Sequence, residues 1–368
     1  MIYLDNGATS FPKPVQVREA MVHAMRCCTN PGRGGHPTAM AAAEQVYACR
    51  EQAAKLFDCR PEQVVFTANC TQGLNMAIRT LIKPGDAVVI SGFEHNAVTR
   101  PLRALQAQVE VAGRRLFDWA DTLEAWEKAL KKRPKAAVFT HVSNVFGYIL
   151  PIQEMAAMCQ RQGIPFIVDA AQSAGMLPVS LKALGADFIA MPGHKGLLGP
   201  QGTGLLLCGR MPEPLLFGGT GSMSLEQTMP DFLPDRGEAG TLNVPGIAGL
   251  GAGMVYIQQS GMKNMAARQQ EQAAFAAKKL YKMGMQVFAG PHQSGTVSFV
   301  PNMDCQHLAA LLAERGVAVR AGLHCAPLAH ESAGTVQTGT VRLSFGHNAN
   351  RKETEAFLRI ISQASQKI

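Results

Sequence analysis

Between Val64 and Met191 the chain sets down short apolar runs bounded by turn-forming residues. They are Val64 to Thr67, Ala87 to Ser91, Val109 to Val111, Ala136 to Thr140, Phe166 to Val168 and Phe188 to Met191. Longer stretches separate them, and in these the apolar residues recur at helical spacing: Val15 to Arg26, Ala39 to Phe57, Phe117 to Lys132 and Ile152 to Gln162. Strands this short and apolar, alternating with helices, predict an α/β fold whose mostly parallel sheet is covered on both faces. From about Leu250 a long helix leads out of this unit. Strands near Thr296 to Val300 and Gly339 to Phe345, with helices at Cys305 to Arg315 and Arg351 to Ser365, predict a smaller α/β unit. The expected division is an extended arm over 1–14, a large domain over 15–250 and a small C-terminal domain over 251–368.

With 368 residues the chain is too long for one simple core, which agrees with two units. Its 47% hydrophobic and 17% charged residues are those of an ordinary globular protein. The net charge of +8 raises the question of nucleic acid. The one dense basic run, KALKKRPK from Lys128, has no aromatic interleaving and reads as a solvated face, so no nucleic-acid partner is expected. Nine cysteines without a CxxC pair or metal-ligand spacing read as reduced thiols, and no metal is expected. No signal-peptide pattern and no apolar stretch of transmembrane length is present, so the expectation is a cytoplasmic protein without membrane contact.

Candidate chemistry gathers at strand ends. Asp169 closes the strand Phe166-Ile167-Val168, and Lys195 leaves the next apolar strand in a Gly-His-Lys turn, so both can meet over the crevice at the carboxyl ends of a parallel sheet. Taken alone, Lys195 reads as a surface lysine. A carboxylate that keeps a pyridine nitrogen protonated and a lysine that bonds a carbonyl cofactor are what pyridoxal phosphate chemistry requires. The turn Ala68 to Asn75 opens a helix with Thr71 near its start, either as a simple N-cap or as an anion site. Arg342 stands between Val341 and Leu343, where a guanidinium is costly to bury without an anion. Cys325 follows Arg320 and His324, cations or potential cations that favour a thiolate. The glycines of Gly249 to Met254 begin a helix with no strand before them, which argues against a dinucleotide fold.

VDAAQS from Val168, the GHK turn ending at Lys195, YLDNGAT from Tyr3 and RAGLHCAPL from Arg320 together resemble the class V aminotransferase family, and within it cysteine desulfurases and selenocysteine lyases. The resemblance runs from Tyr3 to about Phe357. It implies the fold type I architecture of pyridoxal-phosphate enzymes. By its motifs Lys195 carries the cofactor, Asp169 holds the ring nitrogen, and His95 stacks on the ring and moves protons. Gln172 and Asn144 lie at the cofactor, Asn144 also near the substrate carboxylate. Cys70, Thr71 and His194 hold the phosphate, and Thr241 reaches it across a dimer interface. Arg342, with Arg320 as second candidate, grips the substrate carboxylate, and Arg33 reaches a neighbouring subunit's site. Two departures stand out: Pro192 replaces a phosphate-binding serine, and Leu323 replaces the first histidine of an RxGHHC pattern.

The implied activity is desulfuration of L-cysteine to L-alanine with a persulfide on Cys325, extending to L-selenocysteine, in a homodimer that passes sulfur to an acceptor protein. An aminotransferase or a β-eliminating lyase on the same cofactor is the alternative, and neither would need Cys325. A non-enzymatic binding protein is a third reading, against which the presence of Asp169, Gln172, Lys195, His95 and Arg342 argues.

Overall fold

A computed structural model describes residues 1–32 and 34–365; the Arg33 expectation lies outside the described residues. The strands are β1 (Ile2–Tyr3), β2 (Val64–Thr67), β3 (Ala87–Ser91), β4 (Gln108–Ala112), β5 (Ala136–Thr140), β6 (Phe166–Asp169), β7 (Phe188–Pro192), β8 (Gly204–Cys208), β9 (Gln286–Phe288), β10 (Thr296–Val300), β11 (Val317–Ala318), β12 (Arg320–Gly322) and β13 (Thr340–Ser344). Seven of them form one sheet in the order β2-β8-β7-β6-β5-β3-β4. Its pairs from β4 through β7 are parallel, and β8 runs antiparallel to both β7 and β2.

The expected covered sheet is present. Along β5, Ala137 and Phe139 enter one apolar core while Ala136 and Val138 enter the other, the two-sided burial that makes a parallel strand read as a continuous apolar run. Phe166 and Ile167 divide in the same way on β6. The edge strand β4 breaks this rule with exposed Gln108 and Val109, and its Glu110 pairs with Lys132 at 2.8 Å, a charge that blunts the edge.

A second, four-stranded antiparallel sheet, β12-β13-β10-β9, packs with the helices Met262–Lys282, Cys305–Glu314 and Arg351–Ser365 around a third core. The expected single helix leaving the first unit is two helices, Val244–Ser260 and Met262–Lys282, divided at Gly261, whose φ of +78° no helix interior admits. The N-terminal arm ties the two sheets together. β1 pairs with β11, Leu4 enters the third core, and the Ser10 N–H donates at 3.0 Å to the carbonyl of His194 in the turn after β7. Among the described residues no helix is long and apolar enough to cross a membrane, and no cluster of three or more His, Cys, Asp or Glu is arranged to hold a metal.

Candidate active site

The sheet reverses its order between β3 and β5, and the segments leaving the carboxyl ends of β3, β5, β6 and β7 carry His95, Asn144, Asp169 and Lys195. These four line one hollow of about 240 Å³ with Thr71 and Arg342. Asp169 is buried and Lys195 half-buried. Burial pushes the carboxyl up and the ammonium down, and their opposite charges work against both shifts. A lysine drawn toward its neutral amine is poised to bond a carbonyl. The turn that presents it has no room for side chains at its glycine: a Cβ on Gly196 would sit 2.2 Å from the Ala174 carbonyl oxygen.

Asp169 Oδ1 accepts the Ala171 N–H at 2.8 Å and the Cys70 thiol at 3.6 Å. The thiol is pushed well above its ordinary value by burial and then by Asp169, so any contact of Cys70 with an anion falls to its backbone N–H. Asn69, not Thr71, caps the helix Cys70–Leu81, accepting the Gln72 N–H at 2.9 Å. Thr71 is thereby released from capping and stands in the helix's first turn, at the positive end of its dipole and facing the hollow. His194 contributes a buried Nδ1 with no hydrogen-bond partner, and burial lowers this imidazole to about 4.

His95 caps the next helix by accepting the Ala97 N–H on Nδ1 at 3.0 Å. Burial, with Lys195 and Arg320 adding to it, lowers His95 to about 4, so the ring is neutral and its proton resides on Nε2. Gln172 spends its amide N–H on the Gly7 carbonyl at 3.0 Å, and Asn144 spends its own on the His324 carbonyl at 2.8 Å. Both residues border the hollow while bracing its walls.

Arg342 is paired before any substrate arrives. Its NH2 donates to Asp5 Oδ1 at 2.6 Å and its NH1 to the Asn144 carbonyl at 2.9 Å. Asp5 is a site residue that sequence reasoning missed, although it lies inside the YLDNGAT motif directly after the apolar β1 and Leu4. Arg320 faces Arg342 across β12 and β13, and its NH2 lies 3.9 Å from Cys325 Sγ. Cys325 is exposed at the rim, with His324 and Cys325 both in the left-handed region at φ 50° and 56°. The expectation that His324 adds positive charge is corrected: the ring is 4% exposed and burial, then Arg342, lowers it to about 2, so it is neutral and turns Nε2 to Thr340. Arg320 is the cation beside the thiol.

Thr241 lines a different hollow, with Gly219 and Thr220, and within one chain does not meet Lys195. Its neighbour Glu238 is held in a buried ion pair with Arg50 at 2.9 Å and accepts the Phe66 N–H at 2.6 Å. The residues that do converge fit pyridoxal phosphate. A half-buried lysine and a buried carboxylate line one hollow, a helix N-terminus opens on the same space, and the unpartnered His194 nitrogen awaits a polar group.

Known proteins bear on this arrangement. The family model described as "Aminotransferase class-V" matches residues 2–357. A probable cysteine desulfurase of Methanothermobacter thermautotrophicus is 33% identical over 363 residues, covering 91% of this chain and 89% of its own. One from Pyrococcus abyssi is 33% identical over 387 residues, covering 99% and 94%. The apo structure of a cysteine desulfurase from Thermococcus onnurineus superposes with a TM-score of 0.91 at 32% identity, over 100% of this chain and 95% of that one. A family match over nearly the whole length, joined to this lysine and carboxylate at adjacent strand ends, makes the chain a member of the class V aminotransferases, a family of pyridoxal-phosphate enzymes of fold type I.

Proposed function

We propose that the protein is a pyridoxal-phosphate-dependent cysteine desulfurase that converts L-cysteine to L-alanine and leaves the sulfur as a persulfide on Cys325. The observation that carries this reading is the pairing of two chemistries at one place: Lys195 beside the buried Asp169, and the exposed Cys325 with the Arg320 guanidinium 3.9 Å away. The names of the relatives support it.

Lys195 holds the cofactor, Asp169 faces its ring nitrogen, and Thr71, His194 and the start of the helix Cys70–Leu81 receive its phosphate. When bound, the cofactor supplies an electron sink for charge developing at the substrate Cα. The Lys195 amine, favoured by burial, takes the α-proton. His95 offers its Nε2–H to the reacting face. Arg342 receives the substrate carboxylate with N–H groups that Asp5 and Asn144 leave free, and Arg320 adds a second cation. The Cys325 thiolate attacks the substrate sulfur: an S–S bond forms, the Cβ–S bond breaks, and its electron pair leaves with the carbon fragment that becomes alanine after protonation. The large domain over 15–250 supplies the cofactor site, and the small domain over 251–368 supplies Arg320, Cys325 and Arg342. Thr241 serves the partner's phosphate in a homodimer. Cys325 stands on the surface where an acceptor protein can reach the sulfur.

The deciding experiment incubates wild type and Cys325→Ala with L-cysteine and with L-selenocysteine, measuring alanine, pyruvate and alkylation-trapped persulfide. The desulfurase reading expects alanine, a persulfide on Cys325, and loss of cysteine turnover in the variant with the cofactor's spectral response to L-cysteine retained. Selenocysteine turnover that survives the substitution would mean that selenium departs without attack. Pyruvate as product, or an unchanged rate in Cys325→Ala, would sink the reading in favour of elimination.

A further inference from the structure

Glu94 is fully buried one residue before His95. Its Oε1 accepts from Ser91 Oγ and, at 2.8 Å, from the Thr140 N–H, while Oε2 is buried without a partner. Thr140 ends β5 and is the register partner of Asp169 on β6. One carboxyl therefore stitches the turn that presents His95 to the strand ends that present Asp169.

We infer that Glu94 acts as a neutral carboxylic acid, a positioning residue that fixes His95 relative to Asp169 without adding a second negative charge beside it. Both donors fall on Oε1, and Oε2 has no donor to stabilise a charge on it. Ser91 from its own segment and Thr140 from β5 offer only neutral donors, and the charged group that acts on it is Asp169 from β6, of the same sign as an ionised Glu94. A carboxylate in this place would be desolvated with no cation to compensate it. Burial, with Asp169 adding to it, raises Glu94 to about 8, so the acid is protonated at neutral pH and ionises just above it. Ionisation would set two negative charges at adjoining strand ends and weaken the geometry that holds His95.

The test uses the cofactor-loaded full-length enzyme. An infrared difference spectrum, wild type minus Glu94→Gln, should contain the carbonyl stretch of a protonated carboxyl at neutral pH, replaced by carboxylate bands as pH rises through about 8. Glu94→Gln keeps a neutral group with an acceptor oxygen, so it should retain near wild-type turnover at neutral pH and lack the wild-type alkaline decline. Glu94→Ala should lose about a hundredfold, the scale of a small misplacement of reacting groups. Absence of the protonated band at neutral pH, or a Glu94→Gln enzyme as impaired as Glu94→Ala, would overturn the assignment. If Glu94→Ala does not fold, the infrared band and the Glu94→Gln pH profile still decide. Only the turnover comparisons rest on the desulfurase reading; the infrared band stands or falls separately from it.

Discussion

Arg342 carries its charge into β13 at 1% exposure, and the anion that compensates it comes from the far end of the chain. The local pattern Thr-Val-Arg-Leu-Ser announces that an anion is needed, and sequence reasoning assigned that role to a substrate. It could not see Asp5, 337 positions away, because no periodicity links an arm to a strand it meets only in three dimensions. Two of the five guanidinium N–H donors serve Asp5 and Asn144, which leaves others for the substrate carboxylate proposed above. Asp5→Ala should therefore destabilise the fold by about 3 kcal/mol, the low end for orphaning a buried charge because Asp5 is itself partly exposed. Asp5→Asn should cost less, since its amide oxygen still accepts, and denaturant unfolding with unchanged m-value checks the pair. Asp169 and Lys195 were picked out together by their places at strand ends, and the burial of Asp169 is what the sequence could not state. If Asp169 faces the ring nitrogen as proposed, Asp169→Asn removes the carboxylate that keeps that nitrogen protonated, so cofactor absorbance should persist while turnover drops by about a hundredfold or more. Near-normal turnover would refute the role.

At the level of elements, the helix Val244–Ser260 explains a glycine pattern that had only a negative reading. Gly249 to Met254 is no dinucleotide fingerprint; it lets this helix press against the segment after Lys195. A Cβ on Gly253 would stand 2.4 Å from the Leu197 carbonyl oxygen, and backbone there cannot swing aside as a side chain can. Gly253→Ala should therefore cost about 1–3 kcal/mol by overpacking and loosen cofactor retention, because Leu197 lies two residues beyond Lys195. Gly251→Ala is the comparison, since its Cβ would meet the Cys49 side chain at 3.3 Å. Melting curves and dialysis of the cofactor from both variants measure the difference, and equal losses would remove the special role of Gly253. The inner parallel strands β5, β6 and β7 were readable because both faces are buried and the residues run almost unbroken apolar. β8 escaped notice although Leu205 to Leu207 are fully buried, because it follows a glycine-rich loop and turns back against the sheet direction. β11 and β12 are two and three residues long, too short for any periodicity to register.

Across the whole molecule, one chain gathers Lys195, Asp169, His95 and Arg342 in a single hollow but holds Thr241 in another. The Thr241 segment is not loosely held. Glu238 anchors it by two charge-assisted contacts to Arg50 at 2.9 Å and by the Phe66 N–H, so rearrangement within the chain would have to break a buried ion pair. If Thr241 serves a cofactor phosphate across a dimer interface, as proposed, a two-fold dimer supplies two such sites at once. Lys195→Ala and Thr241→Ala should each lower activity as homodimers. In an equimolar mixture allowed to exchange subunits, half the dimers are hybrids. In each hybrid one site combines the intact Lys195 of one chain with the intact Thr241 of the other, while the second site carries both lesions. Activity should then recover to about a quarter of wild type above the residual rates of the parents, the statistical yield of one good site in half the dimers. A mixture that stays at the mean of its parents after exchange has been verified by mass would mean that Thr241 works, if at all, within its own chain.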